Sequence, residues 1–209
     1  LLPQGHAFLV NLNSVTGVQR WRQSVTLPFQ HAVYLQIAEK QELIIATGAR
    51  DLKGKVHYDI HAFRIGNGQR QWAAQFETDY DIGPSHGEQE QHPVIIDNQL
   101  YTKYYQIDLR NGDIKASALK QATSGCGTLT ACTTHIFARG ANPSMYGLLD
   151  AQRTHLTSET RPGCWINILP VGGLLMIPES SSGCSCDFPI QATMAFQPLH
   201  RLEAPTHED

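Results

Sequence analysis

A turn glycine followed four residues later by tryptophan, closing a short apolar run, occurs twice in this chain, and few folds accommodate that recurrence. The first copy runs Ala7-Phe8-Leu9-Val10-Asn11-Leu12-Asn13 through Thr16-Gly17 to Trp21, and the second runs Ile60-His61-Ala62-Phe63-Arg64-Ile65 through Asn67-Gly68 to Trp72. A third, Tyr105-Gln106-Ile107-Asp108-Leu109-Arg110-Asn111-Gly112, has Ala116 at the tryptophan position, and Met145 to Asp150 begins a degraded fourth. Gly17 and Gly68 stand 51 residues apart, and Gly68 and Gly112 stand 44 apart. Repeats of about 40 to 50 residues, built of short apolar runs between Gly, Asn, Asp and Pro, suit units of four short strands. Asn-Gly at 67–68 and 111–112 supplies the positive φ of a tight hairpin. The tryptophans are expected to pack between neighbouring units, as core.

Composition removes several function classes. The 209 residues are 41% hydrophobic and 17% charged with net charge −3, so there is no basic footprint for nucleic acid and no charge block of the kind that forms disordered tails. Apolar runs such as Leu174 to Ile177 and Val94 to Ile96 fall far short of the roughly 20 residues of a membrane helix, so no membrane span is expected. Leu1-Leu2-Pro3-Gln4-Gly5 lacks a signal-peptide pattern and leads almost directly into a strand-like segment, which reads as a chain that continues upstream.

The segment from Pro93 through Val94-Ile95-Ile96-Asp97-Asn98-Gln99-Leu100-Tyr101 to Gly112 resembles one repeat of the quinoprotein-like (PQQ-like) β-propeller family. Gly125-Cys126-Gly127-Thr128, Phe137-Ala138-Arg139-Gly140, Arg161-Pro162-Gly163-Cys164-Trp165-Ile166-Asn167, Pro170-Val171-Gly172-Gly173-Leu174 and Pro178-Glu179 through Cys184-Ser185-Cys186 resemble the C-terminal region of large bacterial, planctomycete-type proteins with such repeats. The resemblance covers roughly residues 58–198. It implies an all-β fold, a β-propeller of four-stranded antiparallel blades, here a C-terminal partial set of about four blades over residues 1–200 with a tail at 201–209. On that template strands A and B fall at Val94–Asp97 and Leu100–Tyr104, and C and D at Tyr105–Leu109 and Ile114–Leu119. Later B strands fall at His135–Arg139 and Leu174–Pro178, and the last C strand at Gln191–Pro198.

Under the same template the D-to-A and B-to-C connections share one end of the blades, and the A–B and C–D hairpins share the other. Cys126, Cys164, Cys184 and Cys186 fall at the first end, whereas Cys132 sits near an A–B turn and is expected to be a buried free thiol. The four grouped cysteines admit two disulfides, a metal or cluster site, or free thiols. Paired short spacings typical of structural zinc are absent, and a bridge across Ser185 would close a strained ring, so disulfides would join Cys184 and Cys186 to Cys126 and Cys164. Such bridges imply an oxidising compartment, periplasmic or extracellular in a bacterium. The Asp79 to Pro93 loop belongs to this end too, and His86, Glu88 and His92 offer donors for a divalent metal without matching a zincin motif. Arg139, Arg161, Asn167 and Glu179 are placed near this rim as a candidate ligand face, with Arg161 either a carboxylate fork or a loop brace. Asp108 and Asp150 are expected to serve turn hydrogen bonds and not as catalytic bases.

Three functions compete. A non-catalytic extracytoplasmic binding or scaffold propeller needs only the repeat and a rigid loop face for a protein or glycan partner, with upstream blades of the same protein or another chain completing the ring. A quinoprotein dehydrogenase would hold pyrroloquinoline quinone and a divalent cation in the funnel, but its customary adjacent Cys-Cys pair does not occur here. A metal- or haem-associated redox subunit is the third; no CxxCH is present, which removes covalent c-type haem within these residues. Four blades cannot close a ring that usually needs about six to eight, since open edges would present unpaired strands.

Overall fold

The computed structural model of the chain describes residues 7–81, 92–117, 119, 128–140, 142–163, 168–179, 190 and 192–198. It is all-β, a series of small antiparallel sheets in which each strand pairs with the next in sequence. The chain divides into two compact units, Leu1–Lys120 and Gln121–Asp209.

In the first unit, β1 (Ala7–Leu12) and β2 (Gln19–Val25) form a two-stranded sheet. A second sheet has the order β3 (His31–Ala38), β4 (Leu43–Leu52), β5 (Lys55–Arg64) and β6 (Arg70–Asp81), with a one-turn 3-10 helix at Glu39–Gln41 between β3 and β4. The third contains β7 (Val94–Ile96), β8 (Gln99–Tyr101), β9 (Tyr105–Asp108) and β10 (Ile114–Ala116). The second unit has a four-stranded sheet of β11 (Thr130–Ala131), β12 (His135–Ala138), β13 (Ser144–Gly147) and β14 (Arg153–His155), and a three-stranded one of β15 (Leu169–Val171), β16 (Leu174–Ile177) and β17 (Met194–Phe196).

Alternation along the strands builds the core of the first unit. Val56, Tyr58, Ile60 and Ala62 of β5 face one way, into a buried cluster shared with Leu100, Ile107 and Leu109 of the third sheet. Each such aliphatic side chain contributes about 1.5–3 kcal/mol when fully removed from water. The opposite side of the second sheet packs Ala46 and Phe63 against Val25 and Phe29, with Leu9 of β1 beside them.

One turn recurs four times. The N–H groups of Asn13, Arg64, Asp108 and Gly147 donate to the carbonyls of Val18, Gln69, Asp113 and Gln152, five residues on in each case. Thr16, Asn67, Asn111 and Asp150 each accept, through a side-chain oxygen, the N–H two residues further along, at 3.3, 3.0, 3.1 and 3.0 Å. These short polar side chains thereby pre-set the turn. The next residue takes a left-handed φ: 70° at Gly17, 72° at Gly68, 81° at Gly112 and 55° at Ala151. The degraded fourth copy thus keeps the turn after losing its glycine.

The tryptophans join successive sheets. Trp21 of β2 donates its indole N–H to the Ile65 carbonyl at 2.8 Å, and Trp72 of β6 donates to the Leu109 carbonyl at 2.8 Å. Both acceptors stand three residues before the turn glycine of the following sheet. A Cβ at Gly68 would lie 2.6 Å from the Trp21 ring, and one at Gly112 would lie 2.8 Å from the Trp72 ring. Glycine is therefore required there for close approach as well as for its φ.

Strand positions agree with expectation within a few residues, but β6 runs on through Asp81, so Asp79–Asp81, expected in the loop to Pro93, belong to the strand. β8 stops at Tyr101 because the Thr102 hydroxyl accepts the N–H groups of Tyr104 and Tyr105 and turns the chain. Asp97, expected to end a strand, sits in the β7–β8 hairpin at φ 52°. β10, β12 and β16 stop at Ala116, Ala138 and Ile177, and β17 is confined to Met194–Phe196. The two strand hairpins of a sheet are tied together at one end: Ile65, Leu109 and Leu148 donate N–H bonds to Glu42, Asn98 and Thr134, each in the first turn of its own sheet.

Candidate functional site

A row of enclosed titratable side chains lies on β5. His57, Asp59 and His61 alternate with the core residues named above, so all three project from the other side of the second sheet. Their cross-strand neighbours are Arg50 and Glu77 at His57, Gly48 and Gln75 at Asp59, and Ala46 and Ala73 at His61. Small neighbours at the inner end leave room for the Phe29 ring, which lies so close over Gly48 that a side chain there would strike it.

His61 is 5% exposed, edge-on to Phe29 at 5.6 Å and stacked with Phe63 at 6.2 Å, and its Nδ1 has no hydrogen-bond partner. Burial first, then the positive charges of Arg70 and Arg50, push its pKa down to about 4, so the ring is neutral at pH 7. Asp59 is 4% exposed, with Oδ2 2.8 Å from Arg50 Nε. The two side chains form an ion pair. Arg50 Nη2 donates to Gln75 Oε1 at 2.8 Å. Burial raises the Asp59 pKa, and the charge of Arg50, its side-chain hydrogen bond and the charge of His57 oppose the rise only in part. At the outer end His57 Nε2 stands 3.4 Å from Glu77 Oε2. The row passes from the His57–Glu77 contact at the rim to a neutral imidazole between aromatic rings. Its inner member is closed to a substrate, so the row stores polar groups without exposing a reacting centre.

This row has its own sequence signal, distinct from the repeat: His57-Tyr58-Asp59-Ile60-His61, with His, Asp and His at period two inside a strand. Among the residues singled out from sequence, His92 is half-buried with its ring edge-on to Tyr34 at 4.6 Å, and burial lowers its pKa while a hydrogen bond with the Pro93 backbone partly offsets the fall. His86 and Glu88 lie outside the described residues, as do Asn167, Cys126, Cys164, Cys184 and Cys186. Among the described residues no three of His, Cys, Asp and Glu are arranged to hold a metal ion.

Arg139, directly after β12, is buried, and its Nε donates to the Pro162 carbonyl at 2.7 Å. It thereby braces the segment that holds Arg161. Thr160 in that segment donates to the Ala192 carbonyl at 3.3 Å, and the Glu179 N–H donates to Thr193 Oγ1 at 3.2 Å. Cys132 lies in the β11–β12 turn as a free thiol, half-buried where full burial was expected. Burial raises its pKa, but hydrogen bonds with the Thr134 backbone and hydroxyl and the His135 backbone outweigh that and leave it lowered. Asp108 and Asp150 accept turn N–H groups from Arg110 and Gln152, both at the roles expected of them. At the hairpin end, a cleft of about 480 Å³ is lined by Glu42, Arg64, Gln71, Trp72 and Arg110.

No family model matches the chain, and no curated protein matches it.

Proposed function

We propose that this chain is a run of β-propeller blades of the quinoprotein-like repeat kind, serving as an extracytoplasmic binding and scaffold module for a protein or glycan. The observation that carries the reading is the doubled dock: tryptophan from one sheet under the turn glycine of the next, with its indole N–H on the same repeat carbonyl. A second recurring bond supports it. Gln36 of β3 donates to the Pro93 carbonyl just ahead of β7, and Thr130 of β11 donates to the Ile168 carbonyl just ahead of β15. First strands are thus linked to first strands through like positions, as stacked blades require. Upstream blades or another chain complete the ring, and the recognition end is the one to which the repeat template assigns Cys126, Cys164, Cys184 and Cys186.

The test is a quinone and metal assay together with imaging of the full-length protein. A binding module gives no dye-linked alcohol oxidation after addition of pyrroloquinoline quinone and Ca²⁺, and its particles show a closed ring of four-stranded blades. Quinone-dependent alcohol oxidation would overturn the binding reading. Sheets that do not close on a central axis would overturn the propeller.

A further inference from the structure

The four turns place every strand of the repeat in a common frame, and in that frame β1 is the exception. Aligning Asn13 with Arg64, Asp108 and Gly147 makes β1 the counterpart of β5, β9 and β13. Each of those three is paired on both edges, whereas among the described residues β1 is bonded to β2 alone. Phe8, Val10 and Leu12, successive residues on one side of β1, are 51%, 47% and 55% exposed. Their counterparts Asp59, His61 and Phe63 on β5 are buried, as are Ile107 on β9, opposite number of Leu12, and Ser144 on β13, opposite number of Val10. On this side the Arg22 guanidinium lies 3.7 Å over the Phe8 ring. An open, apolar strand edge of this kind is a template for another strand.

The internal repeats also say what covers it. Opposite the counterparts of Leu12 stand Ile44, Leu100 and Ile136. Opposite the counterparts of Asn11 stand Ile45, Tyr101 and Phe137. Opposite the counterparts of Val10 stand Ala46 and Ala138, and in the third sheet Thr102, whose N–H donates to the Tyr105 carbonyl. We propose that the free edge of β1 receives, antiparallel, the second strand of a β-hairpin from outside these 209 residues, reading aliphatic, large apolar, small opposite Leu12, Asn11 and Val10. The inference rests on the repeat reading above and adds to it a partner pattern and a register. A small residue opposite Val10 keeps the edge close-packed. The aliphatic residue opposite Leu12 lies beside it on the same side of the sheet and widens the apolar surface there, as Ile44 does beside Phe63.

The probe is a cyclised peptide copying Pro93–Lys103, which carries β7 and β8 with Leu100, Tyr101 and Thr102 in the required order; cyclisation lowers the ordering cost of an isolated hairpin. Added to the 209-residue chain, it is expected to slow hydrogen exchange at the β1 amides that do not bond β2. Leu12→Lys in the chain, or Leu100→Asp in the peptide, is expected to weaken binding at least about tenfold, or about 1.4 kcal/mol. Leu12 is exposed, so Leu12→Lys leaves the thermal unfolding midpoint unchanged, and Val10→Lys serves as an independent variant. Equal binding of the Leu100→Asp peptide, or no protection of β1 at millimolar peptide, overturns the proposal. So does sedimentation showing a dimer without peptide that Leu12→Lys dissociates, which would make a second copy the occupant. Failure here together with a normal response of the Trp72 and Gly112 variants described below leaves the repeat reading standing.

Discussion

The turn at Gly112 and the turn at Ala151 share the bond across the hairpin, the side-chain cap and a left-handed residue, and Gly112 N–H donates in addition to the Asp108 carbonyl; the two stand under different constraints. At Gly112 the Trp72 ring fills the space a side chain would occupy. At Ala151 a side chain is already present, at φ 55°, in a copy whose sequence has His155 four residues on instead of tryptophan. Gly17 lies between these cases, with φ 70° and open space where a Cβ would go. Local turn chemistry therefore accounts for the conformation, and the neighbouring sheet accounts for the demand for glycine.

That contrast breaks first at the dock. Trp72→Ala is expected to destabilise the first unit by about 4 kcal/mol, through the lost ring volume and the orphaned Leu109 carbonyl, measured as a fall in the denaturant midpoint. Acid separates the dock from the buried row on β5. The His61 pKa is depressed in the fold, so the unfolded chain takes up the proton first, and stability falls as pH drops from about 6.5 to about 4. The full loss is at most about 3 kcal/mol. Asp59, with a raised pKa, works in the opposite direction, favouring the fold as its carboxylate is protonated. His61→Leu should flatten the decline between those pH values, and an unchanged slope would show that the imidazole is hydrated.

Gly112→Ala is expected to cost about 2 kcal/mol, combining overpacking against Trp72 with a strained φ. In a Trp72→Ala background most of that cost should disappear, which a double-mutant cycle measures directly. Gly17→Ala, facing open space, should cost only about 1 kcal/mol from backbone strain. Ala151→Gly removes a strained φ and is expected to stabilise the second unit by about 0.5 kcal/mol; a larger gain would mean that the fourth turn holds more strain than its hydrogen bonds indicate.

Much of the fold was legible in advance because the repeat is written in turn residues, whose chemistry is local. Asn67-Gly68 and Asn111-Gly112 fix their own hydrogen bonds within a few residues, and Asp150 does the same without glycine. The row on β5 was less legible. His57, Asp59 and His61 alternate with apolar residues, which reads as one wet side and one dry side of a strand. Their enclosure comes from Phe29, a residue 32 positions before His61 in a segment without strand structure.

The amino-acid sequence by itself determined roughly where the strands lie, which residues turn between them, and the places where tryptophan and glycine recur. Only the tertiary structure decided that Trp21 belongs to Gly68 and Trp72 to Gly112, that His61 is neutral, and that the apolar side of β1 is open while its counterparts are covered. Turn and strand propensities act over a few neighbouring residues. Burial, the pKa of an enclosed imidazole and the pairing of a strand edge depend on atoms brought together from distant parts of the chain, and no local pattern records which of them arrive.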